Sequence, residues 1–211
     1  MKKKFFNLFL ILLLFFIYFI ICANSYSTSV SSNISSSIFR LHVIANSDSL
    51  DDQNLKYLVR NNIINYMNSL IDISSSKENA LKIANENLDK FQEIAQKTVQ
   101  ENGYNYPVTV EIGNFYFPTK DYGDISFPSG YYDGLKIKIG KAEGRNWWCV
   151  MFPPLCFVDL TSGIVPEESK ENLEETLDTE EYAIISEKSD EIKFKFKIIE
   201  IFEDFKQTYI K

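Results

Sequence analysis

Outside the apolar N-terminal segment, three side chains are of types that could carry covalent chemistry: Cys149, Cys156 and His42, the single histidine. An imidazole beside a thiol can accept the thiol proton and create a nucleophile. A pair of Cys149 and His42 would predict a cysteine-dependent hydrolase acting on the cell envelope. Asp48 or Asp159 would then orient the imidazole. No spacing in the sequence joins Cys149 to His42, however, and a histidine on a core strand is equally well satisfied by a nearby carbonyl.

The two cysteines also fit a disulfide. They lie in NWWCVMFPPLCF (residues 146–157), where Pro153 and Pro154 can turn the chain back and bring the sulfurs together. An even pair of cysteines in an exported domain favours a disulfide, with two buried thiols as the alternative. The six residues between them do not match the short gaps of common zinc sites. The sequence therefore predicts no catalytic set, no cofactor and no metal site.

The N-terminus indicates export. MKKK is followed by the apolar run FFNLFLILLLFFIYFIIC and then by small polar residues. This pattern is typical of a signal peptide in residues 1–24, cleaved near Ala23 or Ser25. An uncleaved membrane anchor is the alternative, because about 18 apolar residues can cross a bilayer. Lipidation at Cys22 fits less well, because isoleucines rather than small residues precede it.

Charge limits the partners. The formal net charge is −7, and three of the lysines lie at positions 2–4. Nucleic acids and anionic membrane surfaces attract basic proteins, so neither is an expected partner of the exported part. Any contact with the membrane is expected to come from the N-terminal segment, if it is not cleaved.

Hydrophobic periodicity predicts an α+β fold. The segment IFRLHVI (38–44) reads as a buried strand, and apolar stripes predict helices over 50–71 and 76–101. Alternating segments after residue 107, including LKIKIG and the run WWCVMF, read as strands. The order is an N-terminal strand, two helices and then a mainly antiparallel sheet of three or four strands.

The chain divides into four predicted regions. The targeting segment is followed by a serine-rich linker at 25–37, which we expect to be flexible. The α+β domain follows at 38–160, and an acidic, helical extension occupies 161–211. Within the extension we expect a surface helix near 166–181, which contacts the domain through Leu173 and Leu177, and a second helix near 195–207.

Three segments resemble one known family. They are FRLHVIANSDSLDDQNLKYLVR (39–60), FPTKDYGDISFPSGYYDGLKIKIG (117–140) and GRNWWCVMFPPLCFVD (144–159). These strings are long and unusual in composition, and they are similar to the stage II sporulation protein R family. The resemblance covers the N-terminal segment and roughly residues 38–160.

The resemblance implies an intercellular signal of endospore formation that is not itself an enzyme. Members of the family are made in the forespore and exported towards the space between the forespore and mother-cell membranes. There they trigger a membrane-embedded aspartic protease of the mother cell, which removes the pro-sequence of sigma-E. The expected partner is therefore the outward-facing part of that protease.

Residues without an evident structural need are our candidates for partner binding. They lie near the end of the first strand, in the 118–132 loop and at the start of the aromatic run. Fold maintenance is the alternative role for each of them. The candidates are Arg40, His42, Asn46, Asp48, Tyr122, Tyr131, Tyr132, Asn146, Trp147 and Trp148.

Overall fold

The computed structural model describes residues 2–71, 76–156, 165 and 167–186. Helices and strands follow one another in the order α1 (Lys2–Ser37), β1 (Phe39–Ile44), α2 (Leu50–Leu70), α3 (Lys77–Glu86), α4 (Leu88–Glu101), β2 (Val108–Phe117), β3 (Lys120–Tyr122), β4 (Ile125–Phe127), β5 (Gly130–Ile139), β6 (Asn146–Phe152), α5 (Glu167–Thr176) and α6 (Thr179–Ser186).

The main sheet is mixed, with strand order β2-β5-β1-β6. Strand β1 runs parallel to β5 and antiparallel to β6, and β2 runs antiparallel to β5. Two of the three pairings are thus antiparallel, which confirms the predicted α+β class. The strands β3 and β4 form a separate hairpin. The first strand of the domain occupies an interior position, in keeping with its nearly continuous apolar sequence.

The two faces of the sheet have different surroundings. The helix face carries Leu41, Leu135 and Cys149 on three neighbouring strands, and helices α2 and α4 pack against it. The hairpin face carries Arg40 and His42, and the β3–β4 hairpin packs over its Arg40 end. The helix stripes that fill the core on the helix face are Leu55, Val59, Ile63 and Met67 on α2, and Phe91, Ala95 and Val99 on α4.

One of the predicted helices was wrong in its extent. The single helix expected over 76–101 is broken at Asn87 into α3 and α4. Asn87 stops the first helix because its side-chain amide donates to the Ile83 carbonyl, while its side-chain oxygen accepts from the Tyr66 hydroxyl at 2.8 Å. A contact 21 residues away therefore fixes this break.

The serine-rich segment is helical rather than flexible, since α1 continues to Ser37. Ile34 and Ile38 are fully buried against the domain, and the apolar contact of Ile34 holds the last turns of the helix in place. The hydroxyls of Ser35 and Ser36 bond carbonyls three residues earlier in the same helix. Packing of the domain thus begins before residue 38.

The first part of α1 is long and apolar enough to cross a bilayer. This stretch, Lys3–Cys22, is the one such span among the described residues, judged by length and composition. A signal sequence near an N-terminus has the same properties. Both the signal peptide and the anchor therefore fit it.

The described part of the acidic extension packs on the domain as two helices, α5 and α6, where one helix near 166–181 was expected. Leu173 and Leu177, expected to make the contact, are buried, as is Ile185. Lys170 of α5 forms an ion pair of 2.9 Å with Asp124, in the turn of the β3–β4 hairpin. The helix expected near 195–207 lies outside the described residues.

Polar side chains tie the turn after β1 to the turn between β5 and β6. Asn46 Oδ1 accepts the Lys141 N–H at 3.0 Å, and Asp48 Oδ1 accepts the Arg145 N–H at 2.6 Å. Gly140 has φ +59°, and a Cβ there would collide with the Asn46 side chain. The Asn46-Ser47-Asp48 turn is therefore a structural junction between distant segments.

Asp52 holds this junction from the first turn of α2. Its Oδ2 accepts the Asn46 amide at 2.8 Å and the Ser47 hydroxyl at 2.5 Å, while its own N–H donates to the Ser49 hydroxyl. Burial alone would raise the pKa of Asp52, but the hydrogen bonds together lower it below its usual value. The carboxylate thus joins the helix N-terminus to the turn.

Asp52→Ala is expected to lower the free energy of unfolding by about 2 kcal/mol more than Asp51→Ala does. Both variants remove a carboxylate from the helix N-terminus, but only the first leaves the Asn46 and Ser47 donors without an acceptor. Urea unfolding followed by circular dichroism measures the difference. Equal losses for the two variants would contradict the role assigned to Asp52.

Candidate partner-binding surface

Arg40 is a fully buried cation enclosed by aromatic rings. Its guanidinium carbon lies 4.4 Å from the ring centre of Phe117 and 4.8 Å from that of Tyr132. Nη2 donates to the Tyr122 hydroxyl at 3.1 Å, and that hydroxyl donates to the Trp148 carbonyl at 3.1 Å. This aromatic cage joins the sheet to the β3–β4 hairpin.

The cage replaces a carboxylate partner. Within the part of the chain that the structure describes, Arg40 forms no ion pair, and its Nε and Nη1 have no hydrogen-bond acceptor. The ring faces supply the stabilising negative charge instead. Arg40, Tyr122 and Tyr132, three of the candidates for partner binding, are thus buried side chains that hold the fold together.

His42 lies next to the cage on the hairpin face. Its ring stacks on Trp148 with centroids 3.5 Å apart, and Nε2 lies 2.8 Å from Asn146 Oδ1. Because an amide oxygen only accepts, Nε2 carries the proton and Nδ1 does not. Nδ1 is buried and has no partner among the described residues. Burial lowers the pKa of His42 to about 4, and Lys136, Lys138 and Arg40 also lower it.

The hypothesis of a Cys149–His42 nucleophile pair was wrong. In the β1–β6 register His42 lies opposite Trp148, whereas Cys149 lies opposite Leu41, so the thiol and the imidazole project from opposite faces of the sheet. Cys149 and Cys156 are joined in a disulfide, the pairing that the sequence favoured. The imidazole would also be a weak base at neutral pH.

Asp48, one of the two acids proposed to orient the imidazole, does not do so. Asp48 is occupied with the backbone and side chain of Arg145. Asp159 lies outside the described residues. Within the described residues no group of three or more histidine, cysteine or acidic side chains has the arrangement of a metal site.

Apart from Asp48, which is exposed but held by Arg145, the candidates that reach the surface lie in two places. Tyr131 is 54% exposed and contacts Tyr116 at one end of the β2–β5 pair. Asn146 is exposed at the start of β6, where Trp147 and Trp148 are half-buried. Because β6 is an edge strand of the main sheet, a partner could approach its first residues along the edge that does not pair with β1.

Sequence reasoning missed two residues of α2 that adjoin Trp147. The Tyr57 ring meets the Trp147 ring at 88° with centroids 5.4 Å apart, and the Arg60 guanidinium lies 4.2 Å from the Trp147 ring centre. Their three-residue spacing places Tyr57 and Arg60 on one face of the helix, which was a usable signal. The sequence does not show, however, that this face of α2 contacts Trp147 of β6.

Comparison with known proteins identifies the family. The sequence profile described as Stage II sporulation protein R matches residues 35–162, which is more than half of the 211 residues. The chain belongs to the stage II sporulation protein R family. This family of sporulation proteins is the one that the three quoted segments resemble, and the matched span includes the cage, the disulfide and the start of β6.

A curated member of the stage II sporulation protein R family is also similar over this region. Stage II sporulation protein R of Bacillus subtilis (strain 168) is 36% identical over 132 residues, which cover 63% of this chain and 59% of the relative. The chain thus spans about three fifths of the relative's length. No solved structure matches the chain.

Titration of His42 tests whether its ring is buried and stacked on Trp148. We expect its imidazole to stay neutral down to a pKa of about 4, against 6.5 in the unfolded chain. Between these values the unfolded chain binds more protons, so stability falls as the pH is lowered from 6.5, by at most about 1.4 kcal/mol per pH unit. NMR of the histidine ring gives the pKa, and a value near 6.5 would contradict the buried stack.

His42→Gln is the control for the stability measurement. The difference in unfolding free energy between the parent and this variant is expected to shrink as the pH falls from 7 to 5. The carboxylates are the same in both proteins, so their pH-dependent contribution to stability cancels in the difference.

Proposed function

We propose that this protein is an exported signal of endospore formation that triggers a membrane-embedded aspartic protease in the mother cell to process the pro-form of sigma-E. The main support is membership of the stage II sporulation protein R family over residues 35–162. The protein acts in this proposal as a binding partner that shifts the protease to its active state. A ligand can do so only by binding that state more tightly than the inactive one.

The arrangement of the N-terminus is consistent with this role. A helix of membrane-spanning length, Lys3–Cys22, leads through the rest of α1 directly into the folded domain. Export from the forespore would place the domain in the space between the forespore and mother-cell membranes. The domain would be released there by cleavage, or held at the membrane by the helix.

The chemistry of the described domain also favours a binding role over a hydrolase. The groups that suggested catalysis have other partners: Cys149 is in a disulfide, and His42 is stacked on Trp148. The aromatic and basic side chains at the start of β6 are of the types that dominate protein interfaces.

Co-expression in a host that does not sporulate tests the proposal. The mother-cell protease and its sigma-factor precursor are produced with and without this chain, and processing of the precursor is read on a gel. We expect processing only when this chain is present with its N-terminal segment. Processing that is equally strong without the chain would contradict an activating role.

The double variant Cys149→Ser/Cys156→Ser separates a ligand from a cysteine hydrolase. Loss of the disulfide, which closes a short loop, is expected to lower stability by about 2–3 kcal/mol. At a temperature where the variant is still folded, precursor processing should stay within about twofold of the parent's. Abolished processing by a variant shown to be folded would instead support thiol chemistry.

A further inference from the structure

An aromatic and basic surface lies where α2 meets the start of β6, on the helix face of the sheet. It consists of Tyr57, Arg60, Arg145 and Trp147, and we call it the Trp147 surface. The Arg60 guanidinium lies 4.2 Å from the Trp147 ring centre and 5.0 Å from the Tyr57 ring centre. The guanidinium therefore lies within cation–π distance of both rings.

Arg60 has no carboxylate partner among the described residues. Its Nε and Nη2 donate to Oδ1 of the adjacent exposed Asn61, at 2.9 and 2.7 Å. A neutral amide oxygen is a weaker acceptor than a carboxylate, which accepts two parallel bonds from the guanidinium. Contact with the two rings restricts the Arg60 side chain, so less side-chain entropy is lost when an acid binds.

The surroundings of Arg60 are basic, although the chain as a whole carries −7. Lys56 is buried behind it, with Nζ bonded to Gln53 Oε1 at 2.6 Å and to the Arg145 carbonyl at 3.0 Å. Burial lowers the pKa of Lys56 to about 8, and the nearby guanidinium groups of Arg145 and Arg60 add to the effect.

Among the described residues a single carboxylate, Asp48, pairs with this group of three cations, at 3.5 Å from Arg145. Lys56 and Arg60 are left without an acidic partner in that part of the chain. The Trp147 surface thus has the opposite sign to the protein that carries it, and it is complementary to an acidic ligand.

Exposed apolar area adjoins the charges. Tyr57 is 37% exposed, and Leu50, seven residues earlier on the same side of α2, is 76% exposed. Trp147 is half-buried, so it is partly held by its neighbours and partly accessible to a ligand. A rigid tryptophan beside a stacked arginine is the composition of an interface hot spot.

We propose that the Trp147 surface binds a carboxylate-bearing segment of the protein that this domain activates. Arg60 receives the carboxylate, while Trp147 and Tyr57 pack against the chain that carries it. This inference rests on the proposed function, and it names the chemistry of the partner's contact site.

A protein segment fits this surface better than anionic lipid does. Trp147 pairs with Val43 in the β1–β6 register, whereas α1 ends at Ser37, beside the opposite end of β1. At about 3.3 Å per residue, the Trp147 surface is roughly 13 Å along the strand from Phe39, where the helix leads in. The net negative charge of the chain also opposes adsorption to an anionic bilayer.

Substitutions at Arg60 in the full chain, read in the co-expression assay, test the inference. Arg60→Gln is expected to reduce precursor processing at least tenfold, as loss of a hot-spot arginine does. Arg60→Lys keeps the positive charge but lacks the planar guanidinium, so the level of precursor processing should lie between that of the parent and that of Arg60→Gln. Lys138→Gln is the matched control, because it removes one positive charge from the hairpin face, and it should stay within about twofold of the parent.

Thermal unfolding of each variant separates a binding defect from misfolding. A folded Arg60→Gln protein that supports processing within twofold of the parent's would overturn the inference and leave the proposed function intact. Failure of the parent chain itself to support processing would instead contradict the proposed function, and this inference with it.

A photo-crosslinking amino acid at position 57 gives a second readout in which Arg60 is unchanged. In membranes from the co-expressing cells we expect a crosslink to the protease from position 57 and none from position 131, another exposed tyrosine. A protease crosslink from position 131 alone would overturn the inference. So would Arg60-dependent flotation with phosphatidylglycerol vesicles in the absence of a protein crosslink at 57, because lipid would then be the ligand.

Discussion

Burial of the Arg40 guanidinium, which has no carboxylate partner among the described residues, is the constraint on which the packing of the hairpin face depends. A charge removed from water is costly unless other groups stabilise it, and here the rings of Phe117 and Tyr132 and the hydroxyl of Tyr122 do so. These residues come from β2, β5 and the β3–β4 hairpin, so the cage forms only when all three elements are in place. Gly134 is part of the same requirement, because a Cβ there would meet the Phe117 ring at 3.0 Å.

The cage also links the core of the domain to its C-terminal extension. Once Tyr122 holds the hairpin against the sheet, the turn of the hairpin presents Asp124 to Lys170, and the Val165 N–H donates to the same carboxylate. Helices α5 and α6 then bury Leu173 and Ile185. The extension is acidic in composition, yet its described part is attached through apolar contacts and one ion pair rather than solvated on all sides.

The elements with strong local signals were predictable from the sequence, and the long-range pairings were not. The stripe and the Ser49 cap of α2 are local, so its bounds differ from the prediction by one residue at most. The parallel pairing of β1 with β5 joins residues more than 90 positions apart, and no local pattern encodes it. Arg40 and Tyr122 were candidates for a partner-binding surface. Their burial could not be predicted, because the rings that enclose the Arg40 cation come from distant segments of the chain. The disulfide was predictable because Pro153 and Pro154 lie between its cysteines.

Strand alternation explains why two adjacent tryptophans have different roles. Trp148 points to the hairpin face, where its ring contacts His42 and Phe117. The Trp148 carbonyl accepts a hydrogen bond from the Tyr122 hydroxyl. Trp147 points to the helix face, where Tyr57 and Arg60 of α2 contact its ring and leave it half-buried. A shift of one residue in the β1–β6 register would exchange the two rings. The disulfide and the turn after β6, in which the Leu155 N–H bonds the Val150 carbonyl, fix the strand at its other end. The disulfide and this turn close the far end of β6, while pairing with β1 sets the register, and the register decides which tryptophan a partner can reach.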